Sequence, residues 1–429
     1  MNTRNTSRIS LVAIAIAAVT FSLAVCAQAQ TETILHSFQQ TTDGGDPSAG
    51  LLLDSSGNLY GTTQFGGNTH FCNVGCGVAY RFSKLSTGRW QETVLRDFTS
   101  TGGSSGSLIA DAAGNLYGTT QFGGKRTACP VSGFPGCGSV FELSPTSSGA
   151  WTRTLLYAFT GGADGGVPTS NLTFDAAGNL YGTAVYGGNL SACTDGCGVV
   201  FKLSPSSSGT WTETVLYSFS GSDGGGPRGS VIFDSSGNLY GTTPYNTSGA
   251  GTVYELSPTS SGPWSLTTLY VFQDFTDGGT PFDGLLMDAS GNLFGTTYGG
   301  GNLADCNKVG CGTVFELSPI AGGGWSFNAI YAFNGTDGKT PFAPLAPDSA
   351  GNLYGTTLFG GAHNQGVLFE LSPISSGGWT EKTVHSFGST PSDGKNPSSG
   401  VILDSAGTIY GTTQNGGKYG FGSVYKIEP

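Results

Sequence analysis

Little of this sequence is charged: Asp, Glu, Lys and Arg together make up 10% of its 429 residues. Hydroxyls, amides and glycine must therefore supply much of the polar surface, which favours a secreted β-rich protein over a cytosolic helical enzyme. Basic residues are scarcer than acidic ones, 17 against 28, and the net charge of −11 repels nucleic acid and anionic lipid. Beyond the N-terminal segment, no apolar pattern at helical spacing survives the punctuation of 73 Gly and 19 Pro, so long helices are excluded. The chemistry of catalysis is also thinly represented. There are four histidines, and no serine-hydrolase elbow, phosphate loop or dinucleotide fingerprint stands in a strand-to-helix context.

The chain opens with Arg4 and Arg8, an apolar stretch from Ile9 to Val25, and Ala27-Gln28-Ala29, the pattern of a secretory signal with a peptidase site. Residues 1–29 are expected to be removed, leaving Gln30 as the mature start. An uncleaved anchor and lipidation at Cys26 are the alternatives. Loss of Arg4 and Arg8 moves the net charge from −11 to −13. A secreted or periplasmic location follows, with no membrane contact once the signal is gone.

What the sequence does have is a phrase. "GNLYGTT" begins at Gly57 and returns in varied form, its aromatic residue falling at Tyr60, Tyr117, Tyr181, Tyr240, Phe294, Tyr354 and Tyr410. The period of about 54–64 residues is that of a solenoid, propeller or array. Each unit divides into four short runs: strand a ("LLLD", "VIFD"), strand b ("NLYGTT"), strand c ("SVFELS") and strand d ("ETVLYSF"). Asp and Gly in "DSSGN" mark a hairpin between a and b. Strand d opens at Trp90, Trp151, Trp211, Trp264, Trp325 and Trp379, a repeated position that reads as packing.

Seven units of four antiparallel strands predict an all-β, seven-bladed propeller forming a single domain over residues 30–429. The ends carry the closing argument. Glu32 to Phe38, "ETILHSF", matches strand d, whereas the chain finishes on "GSVYKIEP", which matches strand c. The N-terminal strand is thus predicted to complete the last blade, removing two exposed edges. An open solenoid would show capping repeats, and none are visible.

The units "GNLYGTTxxGG", "GxVFELSP" and "LYxFxxxDGGxP" resemble the GloVer-type tandem repeat of secreted bacterial "choice-of-anchor tandem repeat" proteins. The likeness covers nearly the whole mature chain. It implies a propeller-like extracellular protein, and it carries no catalytic motif to transfer. Members often bear a C-terminal anchoring segment. This chain ends at Pro429 directly after the last strand, so release is expected over surface attachment.

Eight cysteines lie between strands b and c, as Cys72 with Cys76, Cys129 with Cys137, Cys193 with Cys197 and Cys306 with Cys311. In a secreted chain they read as four local disulfides. The d-to-a loops carry "DGxxP" with Asp43, Asp164, Asp223, Asp277, Asp337 and Asp393. They read either as turn caps or as an acidic collar round the channel that could hold Ca²⁺ or sugar hydroxyls. Phe65, Phe122, Tyr186, Tyr245, Tyr298 and Phe359 approach the same face and could stack on sugars or pack blade on blade. His36 and His385 stand where other blades have Tyr in strand d and read as packing. No residue is assigned a catalytic role, no cofactor is required, and a monomer is expected.

Near-uniform repeats favour a non-enzymatic binding or scaffold protein whose ligand is a glycan or another extracellular protein. The alternative is a Ca²⁺-assisted hydrolase, lactonase or lyase at the channel mouth, which would need unlike groups converging there. A purely structural role in an envelope matrix is the third reading. Any ligand is expected on the face bearing the DGxxP and b-to-c loops, near the channel.

Overall fold

The computed structural model describes residues 32–428 except 69–71, 73, 100–102, 104–105, 125–128, 132–134, 248, 261–262 and 274. The expected signal, residues 1–29, lies outside the described residues. Seven sheets of strand order a-b-c-d are arranged in a ring, a seven-bladed β-propeller. In blade one the strands are Leu52–Leu53, Leu59–Thr62, Val78–Lys84 and Trp90–Asp97. Strand a is shorter than its apolar run suggested, two residues in each blade. The only helical turn among the described residues is Cys306–Lys308.

The repeated phrase is a local folding programme. Asp54 accepts hydrogen bonds from the Ser56 and Asn58 amides, the Asn58 side chain and the Tyr60 hydroxyl. Burial alone would raise this carboxyl, but those donors outweigh it and hold Asp54 below its usual range. The hairpin is thereby locked at both ends of its turn. The Gly after the aromatic residue is demanded by packing: a Cβ at Gly241 would lie 2.4 Å from the Tyr254 hydroxyl of strand c. The first Thr then reaches sideways. Thr242 donates to the carbonyl of Asp283 in the next blade at 2.8 Å, and Thr412 to Ala49 at 3.1 Å, across the point where the ring closes.

Hydrophobic packing runs between blades. Seven buried clusters each combine residues of two adjacent blades, for example Phe159 and Leu156 with Leu180, Phe201 and Leu203. The tryptophans belong to this system: Trp151 and Trp325 meet Tyr60 and Tyr240 of the preceding blade edge-on, and Trp211 meets Tyr117 in a tilted pair, at 6.1–6.5 Å. Such pairs add about 0.5–1.5 kcal/mol each beyond burial.

Closure occurs as the terminal sequences predict. Glu32–Ser37 is the outer strand of blade seven and pairs antiparallel with Ser423–Ile427. Its register slips between Ile34 and His36, which pair with Tyr425 and Val424. Blade three has the same slip, with Val215 and Tyr217 paired to Phe201 and Val200. The skipped residue is apolar in both, Leu35 and Leu216, so the N-terminal strand reproduces strand d even to its bulge.

Candidate functional site

Each DGxxP loop carries the chain from the outer edge of one blade to the channel wall of the next. The Asp caps the turn, and the residue before Pro is left-handed: φ is 54° at Asp46, 58° at Val167, 59° at Thr280 and 61° at Thr340. For β-branched Val and Thr this conformation is unfavourable. It is held by hydrogen bonding to the preceding blade, Val167 N–H to Cys137 O at 2.7 Å and Thr280 N–H to Ala250 O at 2.8 Å. The residues after Pro then descend into strand a and line the channel.

All seven blades contribute to a cavity of about 410 Å³ at this mouth, and their contributions are unlike. Blades seven, one and two present Gln414, Gln64 and Gln121 from the ends of their b strands. The position just after Pro bears Ser48, Thr169 and Ser398 in blades one, three and seven, but Arg228, Phe282 and Phe342 in blades four, five and six. Phe282 and Phe342 have ring centroids 5.1 Å apart, and the Arg228 guanidinium lies over Phe282 at 5.6 Å. One sector of the mouth is therefore aromatic and cationic and the opposite sector is amide and hydroxyl.

Several polar atoms here have no hydrogen-bond partner among the described residues: Ser48 Oγ, Thr169 Oγ1, Ser398 Oγ and Arg228 Nε, each buried. Buried polar groups are ordinarily paired. Asp283, next to Phe282, keeps part of its surface toward the cavity, yet protein surrounds its carboxyl closely enough to push it up to about 7. A second depression of about 430 Å³ adjoins on the same face, lined by Tyr186, Tyr245 and the shared Arg228.

The six DGxxP aspartates are not assembled into a collar, and none lines the channel cavity. Each instead serves its own blade junction. Asp164, Asp223 and Asp337 accept from the strand d hydroxyls of Tyr157, Tyr217 and Tyr331 at 3.0, 2.6 and 2.6 Å, and Asp277 accepts from Tyr270. Asp43 accepts from the Gln39 amide and Asp393 from that of Ser389, with histidines in the tyrosine place. Blade two, which lacks the motif, places Arg153 over Phe98 and Phe141 at 5.8 and 5.4 Å.

The aromatic set divides. Gly299, not Tyr298, occupies the bridge position held by Phe65, Tyr186 and Tyr245. Tyr298 is one residue earlier, where blades one, two and seven have Gln, and packs on Phe282 at 5.5 Å. Tyr245 meets Phe282 at 6.4 Å. Thus Tyr186, Tyr245 and Tyr298 border the mouth sector that Phe282 organises, whereas Phe65, Phe122 and Phe359 line neither cavity. The four cysteine pairs are disulfides, each closing within its own b-to-c loop.

Sequence reasoning missed Arg228, Phe282, Phe342 and Asp283. The available signal was the residue after the DGxxP proline, which breaks from Ser or Thr only in three consecutive blades. It also missed two mixed clusters at the outer edge, Glu32–His385–Asp393 and His36–Asp43–Glu92. Their glutamates come from strand d of the following blade. Burial beside Asp393 pushes Glu32 up to about 10, and burial pushes Glu92 up to about 7.

Among known proteins, a gluconolactonase from Xanthomonas campestris is similar in structure at 12% identity, over 74% of this chain and 82% of that one, with a TM-score of 0.40. A putative gluconolactonase matches at 14% identity, over 83% and 93%, with a TM-score of 0.36. No curated protein matches the chain. The Gloeobacter/Verrucomicrobia repeat matches residues 17–212, 129–345 and 305–429. Since these overlapping stretches run through every blade, the chain belongs to the Gloeobacter/Verrucomicrobia repeat family.

Proposed function

We propose that this propeller is an extracellular or periplasmic binding protein that holds a glycan at the channel mouth. The observation that carries this reading is the set of unpaired buried hydroxyls of Ser48, Thr169 and Ser398, across the cavity from Arg228 and the partly exposed faces of Phe282 and Phe342. Sugars offer hydroxyls to the first sector and an apolar ring face to the second, and few other ligands offer both at close spacing. Four disulfides support an oxidising location, and no helix among the described residues is long and apolar enough to cross a membrane.

Calorimetric titration against a panel of oligosaccharides tests the proposal. Phe282→Ala with Phe342→Ala is expected to weaken the binding at least tenfold, about 1.4 kcal/mol. Asp223→Ala with Asp277→Ala, which removes turn caps outside the cavity, is expected to leave affinity unchanged. The reverse pattern would move the site to the aspartates, and a panel with no binder would remove the proposal.

A second reading rests on Asp283 alone. A carboxyl poised near 7 beside a bound ligand suits general acid–base work, in the hydrolysis of a lactone or glycosidic bond. Turnover abolished by Asp283→Asn without loss of binding would establish it.

A further inference from the structure

We propose that Glu32, His385 and Asp393 form a site for a first-row divalent cation of the zinc type, tying the closing strand to blade six. Glu32 begins the N-terminal strand that completes blade seven. His385 is the penultimate residue of strand d of blade six, and Asp393 belongs to the loop that follows it. The three offer one imidazole nitrogen and two carboxylate oxygens, all within 4.8 Å of one another.

The other blades supply the comparison. Where Tyr stands in the His385 position, its hydroxyl donates to the loop Asp and the pair is satisfied. At the sister junction His36 Nε2 hydrogen-bonds Asp43 at 3.2 Å. His385 does neither: its Nε2 stands 3.6 Å from Asp393 and 3.8 Å from Glu32, beyond hydrogen-bond range of both. His385 Nε2, Asp393 Oδ1 and Glu32 Oε1 are all buried without a hydrogen-bond partner among the described residues. The side chains of Asp393 and Glu32 are only 3% and 6% exposed.

An ion about 2.0–2.2 Å from each ligand in tetrahedral geometry separates neighbouring ligands by roughly 3.3–3.6 Å, and His385 Nε2 stands 3.6 Å from Asp393 Oδ1 and 3.8 Å from Oε2 of Glu32. The second oxygen of Asp393 is fixed by the Ser389 amide and hydroxyl at 2.7 and 2.8 Å, the outer support expected of a metal-binding carboxylate. Imidazole among the ligands selects zinc-like ions over Ca²⁺.

The test uses the mature full-length chain, stripped with chelator and titrated with Zn²⁺, with Ca²⁺ as comparator. His385→Tyr is the informative variant, because it installs the Tyr–Asp pair that other blades use and so preserves the fold. Wild type should bind one equivalent of Zn²⁺ at this site and gain Tm as free Zn²⁺ rises. His385→Tyr should lose that equivalent, and its Tm should be indifferent to Zn²⁺ and chelator. Zn²⁺ binding unchanged by His385→Tyr, or lost only in His36→Tyr, would overturn the assignment. Absence of binding in wild type would do so too.

Discussion

At the residue scale, "GNLYGTT" recurs because each of its positions answers a separate physical demand. Gly237 and Gly241 separate two of them: the first has φ of +87° and open space where a Cβ would stand, whereas a Cβ on the second would strike Tyr254 at 2.4 Å. Gly241→Ala should cost about 1–3 kcal/mol through overpacking, and Gly237→Ala about 1 kcal/mol through left-handed strain; denaturant titration of the two variants measures both. A titratable counterpart is Glu213, which burial, assisted by the nearby Asp164 charge, pushes up to about 7. A carboxyl whose folded value exceeds its unfolded 4.5 binds more protons when folded, so it reduces stability as pH rises from about 4.5 to 7 and leaves it unaffected below. Glu213→Gln should therefore stabilise the protein at pH 8 by about 1–3 kcal/mol, the lower figure allowing for solvent screening of this partly exposed group, and have no effect at pH 4, as read from paired unfolding curves. The turn chemistry of Asp54 and Asn58 was legible in sequence because it is local. The role of Glu213 was not, since its partners come from the neighbouring blade.

Among elements, the N-terminal strand has the largest consequence. It brings the bulge of strand d, the edge of blade seven, and Phe38, fully buried in the cluster shared with blade one. Deleting residues 32–38 should expose both a strand edge and an apolar flank, giving aggregation or a large fall in Tm. A truncated chain that stayed monomeric with unchanged Tm would contradict the closure. The disulfides act on a smaller scale, since sequence separations of 4, 8, 4 and 5 residues enclose short loops, worth about 2 kcal/mol each by chain entropy. Reduction should lower Tm without opening the ring, as far-UV circular dichroism would register. Strand order, hairpins and cysteine pairing could be read directly, because contacts within a repeat obey its period. The Tyr298 offset could not, because "TTYGG" and "TTQFGG" differ by one residue and only the Gly299 bridge fixes the alignment.

For the whole molecule, a ring of near-identical blades converts small departures from the repeat into a shaped site. Ser48, Thr169 and Ser398 keep the ordinary polar character of their position, and Arg228, Phe282 and Phe342 break it in one sector. No sequence window contains both sectors, since Ser48 and Phe282 are brought to one cavity only by closure. The lining residues of this cavity were therefore not legible in the sequence. The most direct test is a crystal structure of the protein with an oligosaccharide selected by titration. A sugar ring is expected against Phe282 or Phe342, with its hydroxyls bonded to Ser48, Thr169, Ser398 or Arg228. A sugar seated on the opposite face, among the Asp-capped a-to-b hairpins, would contradict it.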